Sequence, residues 1–205
     1  MSRREGRLAL AGAGVFGVAA AGVAILALIA DRPTPADVRL ARLALPAAIA
    51  VPAVLGLVAR RSRPSLLVAG AILGAAMSTL SFVLLPLLIP AALYVKAAAG
   101  KGWTGPAPPR RAAVAAVFTV VLGLAALGSA GFVRAERCWS WTVSADGATM
   151  LRDGPPAGSV GEELAGSGES RGSRCGEEVT PAGAAAGLAL AMAAVGGGVL
   201  LSRPT

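Results

Sequence analysis

The strongest constraint on this chain is the length over which charge is missing. Leu8–Ala30 runs 23 residues without a charged side chain, and Ser65–Val95 runs 31. A helix needs about 20 apolar residues to cross the hydrocarbon core of a bilayer. With 55% hydrophobic residues and a mean hydropathy of +0.69, the chain carries too little polar surface for a soluble domain of 205 residues. The expected fold is therefore all-α: a polytopic transmembrane helix bundle.

Met1–Arg7 is a short basic head, and Leu8–Ala30 reads as a retained first span. The rival is a cleaved secretory signal, whose apolar region runs about 7–15 residues and ends at small residues; here the run is longer, and Leu28 stands where a small residue is needed. Asp31–Asp37 is a turn-rich connector. Span two runs from Val38 to Ala59, with Arg39 and Arg42 expected to snorkel to the headgroups and Pro46 and Pro52 to kink the helix. Arg60, Arg61 and Arg63 form a basic turn expected to meet anionic lipid headgroups.

Ser65–Val95 is too long for one ordinary span. Two tight spans, Pro64–Leu80 and Val83–Ala98, compete with a single steeply tilted one. Charge density separates them, because Lys and Arg in short loops stay cytoplasmic. With two spans, the segments 1–7, 60–64, 96–111 and 202–205 share a side and hold eleven Lys or Arg in 32 residues. With one span, the last loops change sides and the dense basic loops are split. Six spans, with five as the alternative, and two cytoplasmic termini at the cell membrane are expected. Lys96–Arg111 is then a cytoplasmic linker in which Trp103 anchors at the interface, and Ala112–Val133 and Ala182–Leu201 are spans five and six.

This divides the chain into residues 1–133 with five spans, 134–180 as an extracytoplasmic loop, and 181–205 as the last span with a short tail. The loop holds both cysteines and eight of the eleven acidic residues against five arginines. Within it, Thr142 and Val143 form strands readily, Asp146-Gly147 signals a turn, and Thr149–Leu151 return, so a small β-hairpin is expected. Trp139 and Trp141 share one face and are expected to anchor at the membrane interface. Pro155–Ser173 reads as a flexible tether, and Glu177 and Glu178 as a solvated acidic rim. Cys138 and Cys175 are expected to form a disulfide, since both lie on the oxidising side and no CxxC spacing or histidine points to redox or metal chemistry.

Two small-residue pairs, Gly70/Gly74 and Gly183/Gly187, let helix backbones approach closely. Packing within the chain is favoured over a dimer face, because 27 glycines produce such spacings readily.

Arginine outnumbers lysine seventeen to two, Ala and Gly dominate, and the run from Arg60, RRSRPSLLVAGAILG, continues to LPLLIPAALY. In these features the chain resembles uncharacterised multi-pass membrane proteins of high-GC actinobacteria. The resemblance covers about a sixth of the chain and implies no activity.

The remaining inferences are negative. No histidine is present, and no Asp, Glu, Lys or Arg lies within the spans away from their ends. Proton relays, ion coupling and voltage sensing need such groups, and hydrolysis needs a nucleophile with a base, or a metal. No catalytic, cofactor-binding or metal-binding residue is assigned, and no basic stripe with aromatics supports nucleic-acid binding. The expected role is non-catalytic: an accessory or scaffold-like membrane protein presenting an acidic loop, with a membrane-protein partner or a homo-oligomer. The alternative is a small transporter or permease subunit for a neutral solute, which calls for a polar cavity lined by Ser78, Thr79, Ser81 and Tyr94.

Overall fold

The computed structural model describes residues 3–29, 35–59, 63–80, 82–100, 109–144, 146–147, 149–154, 164–165 and 169–202. Trp103, Arg60, Arg61 and Ser81 lie outside the described residues. Helix α1 is Arg3–Ile29, α2 Ala36–Arg42, α3 Ala44–Ala59 and α4 Pro64–Leu80. A 3₁₀ segment, Phe82–Leu87, leads into α5, Leu88–Ala98. Helix α6, Pro109–Phe132, passes directly into a small sheet, which returns through α7, Pro181–Leu201. Four of the helical stretches are long and apolar enough to cross a membrane: Arg4–Ile29, Ala36–Ala59, Arg110–Phe132 and Pro181–Leu201. Pro64–Thr79 and Leu84–Ala98 are shorter apolar helices.

Proline explains where α2 ends and α3 begins. Pro46 has no N–H to offer the carbonyl of Arg42, and its ring crowds that carbonyl. The helix accordingly breaks at Leu43, and α3 restarts at Ala44. Pro52 stays inside α3, and its own carbonyl accepts a hydrogen bond from the Tyr94 hydroxyl at 2.8 Å. At the other end of the chain Thr180 caps α7, accepting from the Gly183 N–H at 3.0 Å, and Pro181 occupies the first turn, where no N–H is missed.

The bundle core forms around Tyr94, whose ring is fully buried. It lies against Gly12 of α1, Gly56 of α3 and Gly70 of α4, where any added Cβ would collide with it. Phe16 of α1 packs beside it, ring centroids 5.4 Å apart, and fits against Gly74. The Gly70/Gly74 pair thus receives two aromatic rings from within the same chain. These contacts also fix direction. Gly70 lies level with Tyr94, Gly74 level with Ala91, and Glu5 at the start of α1 lies against Gly100 beyond the end of α5. Residues 64–98 therefore form two antiparallel helices joined by the 3₁₀ segment around Pro86.

The second glycine pair serves the α6–α7 contact, the most extensive between helices. A Cβ at Gly183 would stand 2.8 Å from Val133 Cβ, and one at Gly187 would stand 3.1 Å from the Ala126 carbonyl oxygen. Both glycines lie inside the monomer rather than on an outer face.

The sheet is larger than a hairpin. Strands β1 (Arg134–Val143), β2 (Thr149–Asp153), β3 (Leu164–Ala165) and β4 (Glu169–Val179) assemble in the order β2-β1-β4-β3, each pairing antiparallel. The expected Thr142–Val143 and Thr149–Leu151 pairing is present, with Val143 opposite Thr149. The connection is five residues long rather than two. It closes by a bond from the Gly147 N–H to the Ser144 carbonyl, with Gly147 at φ +83°, a value that favours glycine. The main departure is β4. The stretch from Glu169 onward is a strand of 11 residues paired along the whole of β1, not the end of a flexible tether. Its Gly- and Ser-rich composition hid this, because the pairing is imposed by the neighbouring strand and not by local propensity.

Overpacking at the α6–α7 contact provides a direct test. Gly187→Leu is expected to lower stability by about 1–3 kcal/mol, read as a lower melting midpoint in mild detergent. Gly196→Leu, on an open face of the same helix, is expected to melt like the wild type.

Candidate functional site: the sheet and its seat on the bundle

The two helices hand their register to the two strands. Gly187 lies against Ala130 and Gly183 against Val133; the pairing then continues as Arg134 with Val179 and Cys138 with Cys175. At the handover, the Val133 carbonyl accepts from both the N–H and the hydroxyl of Thr180, at 3.0 and 3.4 Å.

Cys138 and Cys175 face each other directly and are bonded, with Cα atoms 4.1 Å apart. The Cys138 carbonyl points away from β4, accepting from the Gly154 N–H at 3.1 Å. The cysteines are thus a non-hydrogen-bonded pair, the position at which opposed side chains come closest. No free cysteine remains among the described residues. In the chain-entropy account, closing a loop of this length contributes about 4 kcal/mol.

The two tryptophans fare differently. Trp139 is 1% exposed, so protein encloses its ring and leaves no surface for headgroups. Trp141 is half-buried and lies across Gly172, its partner on β4, where a Cβ would collide with the ring. Alternation on a strand put both rings on one face, but it cannot indicate which of them the rest of the fold covers.

Two ion pairs seat the sheet on α2. Arg42 grips Glu178 with both arms of its guanidinium: Nη2 to Oε1 at 2.5 Å and Nε to Oε2 at 3.1 Å. Glu178 is only 8% exposed. Arg137 of β1 pairs with Asp37, in the first turn of α2. Two expectations are corrected here. Arg42 is turned to a carboxylate rather than snorkelling outward, and Glu178 is buried rather than part of a solvated rim. The reason is register: β4 places Glu177 and Glu178 on opposite faces, so Glu177 is exposed and Glu178 is brought over the bundle. No local feature of the sequence signals that Arg42 and Glu178, 136 residues apart, will meet.

Beside this pair lies a cleft of about 200 Å³. Val23, Ala27, Leu45 and Ala130 give it an apolar side, and Arg42, Arg134, Glu177 and Glu178 a charged one. Its charged side pairs two carboxylates with two guanidiniums, and no hydroxyl, thiol or imidazole lines it. Among the described residues no group of three His, Cys, Asp or Glu is placed to hold a metal ion.

Of the hydroxyls expected to line a transport path, the three among the described residues each donate to a backbone carbonyl. Ser78 donates to the Ala75 carbonyl at 2.6 Å, Thr79 to that of Ala76 at 2.7 Å, and Tyr94 to that of Pro52. The first two bonds stay within α4, and the third ties α5 to α3.

No family model matches the chain, and comparisons with curated proteins and with solved structures yield no match. What the fold itself defines is a helical protein with, among the described residues, four helices of membrane-crossing length and a disulfide-bonded sheet seated at one end by paired charges.

Removing one partner of the seat leaves a charge desolvated and alone. Glu178→Gln is expected to cost about 3 kcal/mol, measured by thermal or denaturant unfolding in detergent, whereas Glu177→Gln is expected to stay close to wild type. The double replacement Arg42→Met with Glu178→Leu is expected to recover most of the loss, since an apolar pair replaces an ion pair at little net cost.

Proposed function

We propose that the protein is a non-catalytic integral membrane protein with six spans, which holds a rigid sheet outside the cell as an accessory or scaffold-like element. The observation that carries this reading is the seat. The sheet grows without a linker from α6 and α7, is bonded across Cys138–Cys175, and is tied to α2 by Arg42–Glu178 and Arg137–Asp37. Three of these devices fix orientation relative to the bundle, which a freely tethered loop does not need.

Membrane placement is supported by the outer surface of the bundle. Val18, Leu26, Val117, Phe132 and Met192 are each more than 60% exposed, which suits lipid and not water. For the shorter helices, Pro64–Leu80 reaches about 25 Å at 1.5 Å per residue. The 3₁₀ segment rises faster, so Phe82–Ala98 reaches about 28 Å. Both approach the roughly 30 Å hydrocarbon thickness, and their antiparallel packing supports two crossings over one. Arg4, Arg7, Arg63, Lys96, Arg110 and Arg111 all belong to the helix ends opposite the sheet. With the basic end cytoplasmic, both termini are inside, the sheet is outside, and the plasma membrane is the host. Arg63, with Arg60 and Arg61, then meets anionic headgroups on the inner leaflet.

The accessory role is supported over neutral-solute transport by the packed interior. Tyr94, which a permeation path needs as a free polar lining, is fully buried and bonded to Pro52. The sheet is the feature left to engage a membrane-protein partner or a second copy.

Topology is tested by Thr79→Cys labelling with a membrane-impermeant maleimide. Six spans put residue 79 near the outer surface, and labelling of intact cells is expected; protection in intact cells, with labelling only after the bilayer is dissolved, supports five spans instead. The role is tested by purifying the tagged protein from native membranes in mild detergent. A stoichiometric partner is expected with the wild type and at least several-fold less with the Cys138→Ser, Cys175→Ser double variant. A wild type that purifies alone, as a monomer, overturns the accessory reading.

A further inference from the structure

Between α2–α3 and α7, at the sheet end, lies an apolar groove of about 500 Å³. Its walls are Leu40, Leu43, Ala44 and Ala47 on one side and Ala184 and Leu188 on the other. The alanines are too short to close the space. Asp37, paired with Arg137, and Pro181 mark its mouth at the sheet end.

We propose that this groove seats one acyl chain of a phosphate-bearing lipid from the leaflet on the sheet side, with Arg39 holding the phosphate. The inference rests on the membrane placement proposed above. Three observations favour this occupant. The first is depth. Asp37 to Ala47 covers ten residues, about 15 Å of helix, or half of a roughly 30 Å hydrocarbon core. The groove therefore extends from headgroup level to the bilayer midplane, which is the reach of one lipid chain. The second is its lining. Water entering it would find almost nothing to bond with, since a buried water needs two to four polar partners, and an empty groove forfeits dispersion contacts along both walls. The third is charge. Arg42 and Arg137 are occupied by Glu178 and Asp37, whereas Arg39 is exposed and has no ion pair among the described residues. It lies one turn from Leu43 on the same side of the chain, at the level of the groove's mouth. A guanidinium with an apolar channel beneath it matches a phosphate above an acyl chain.

The test is native mass spectrometry of the full chain released from membranes in mild detergent. The wild type is expected to retain one phospholipid per chain. Arg39→Gln, at an exposed position, is expected to reduce that occupancy at least five-fold. Ala185→Phe, which places a ring into the groove, is expected to abolish it with the melting midpoint unchanged or raised. After delipidation, added phosphatidylglycerol is expected to rebind, diacylglycerol to rebind at least five-fold less, and inorganic phosphate not to bind. Retention of the same lipid by both variants overturns the proposal. So does a dimer that Ala185→Phe disrupts, because the occupant is then a second copy. The Thr79→Cys labelling reports separately on the placement: normal labelling with no lipid in the groove rejects this inference and leaves the topology standing. Should Ala185→Phe fail to fold, Arg39→Gln with the three added probes decides the question alone.

Discussion

The structure depends on one junction, where the Val133 carbonyl takes two hydrogen bonds from Thr180 and a helix pair becomes a strand pair. A helix end leaves backbone groups without partners, and a strand end does the same. Joining the two elements end to end lets the first rung of the ladder and the cap of α7 meet at the same two residues. Register follows from there. With Thr180 set against Val133, Arg134 must face Val179, and Cys138 must face Cys175. The disulfide is therefore a consequence of helix packing at Gly183 and Gly187 as much as of its own chemistry.

The same register brings Glu178 over the bundle and leaves Glu177 outside. A shift of one residue would exchange them, turning Glu178 outward and Glu177 toward the bundle. The bidentate pair, the enclosed Trp139 and the bonded cysteines are thus three readouts of one alignment. They make the sheet a part of the bundle rather than an appendage to it, which is the physical basis for reading it as a presented surface.

Below the sheet, the bundle is organised by fit between aromatic rings and glycines. Tyr94 occupies a space bounded by three glycines on three different helices, and its hydroxyl goes to a carbonyl in a proline-containing helix. Such a centre is specific because the ring is large and the surrounding backbones are close. The one tyrosine in the chain is thereby used for packing.

The sequence alone determined the apolar helical character, the positions of the long helices, the polar segment between the last two, and the pairing of the only two cysteines. These follow from composition and spacing, which need no partner to be read. It also indicated the turn at Asp146-Gly147, because turn chemistry is local. The extent of β4, the burial of Glu178 and Trp139, the Arg42 and Arg137 ion pairs, and the groove between α2–α3 and α7 were decided only by tertiary structure. Each depends on which residues far apart in the chain come to face one another. A strand of Gly, Ser and Glu becomes a strand only beside another strand, and a glutamate becomes buried only when an arginine 136 residues away is brought within 3.1 Å of it.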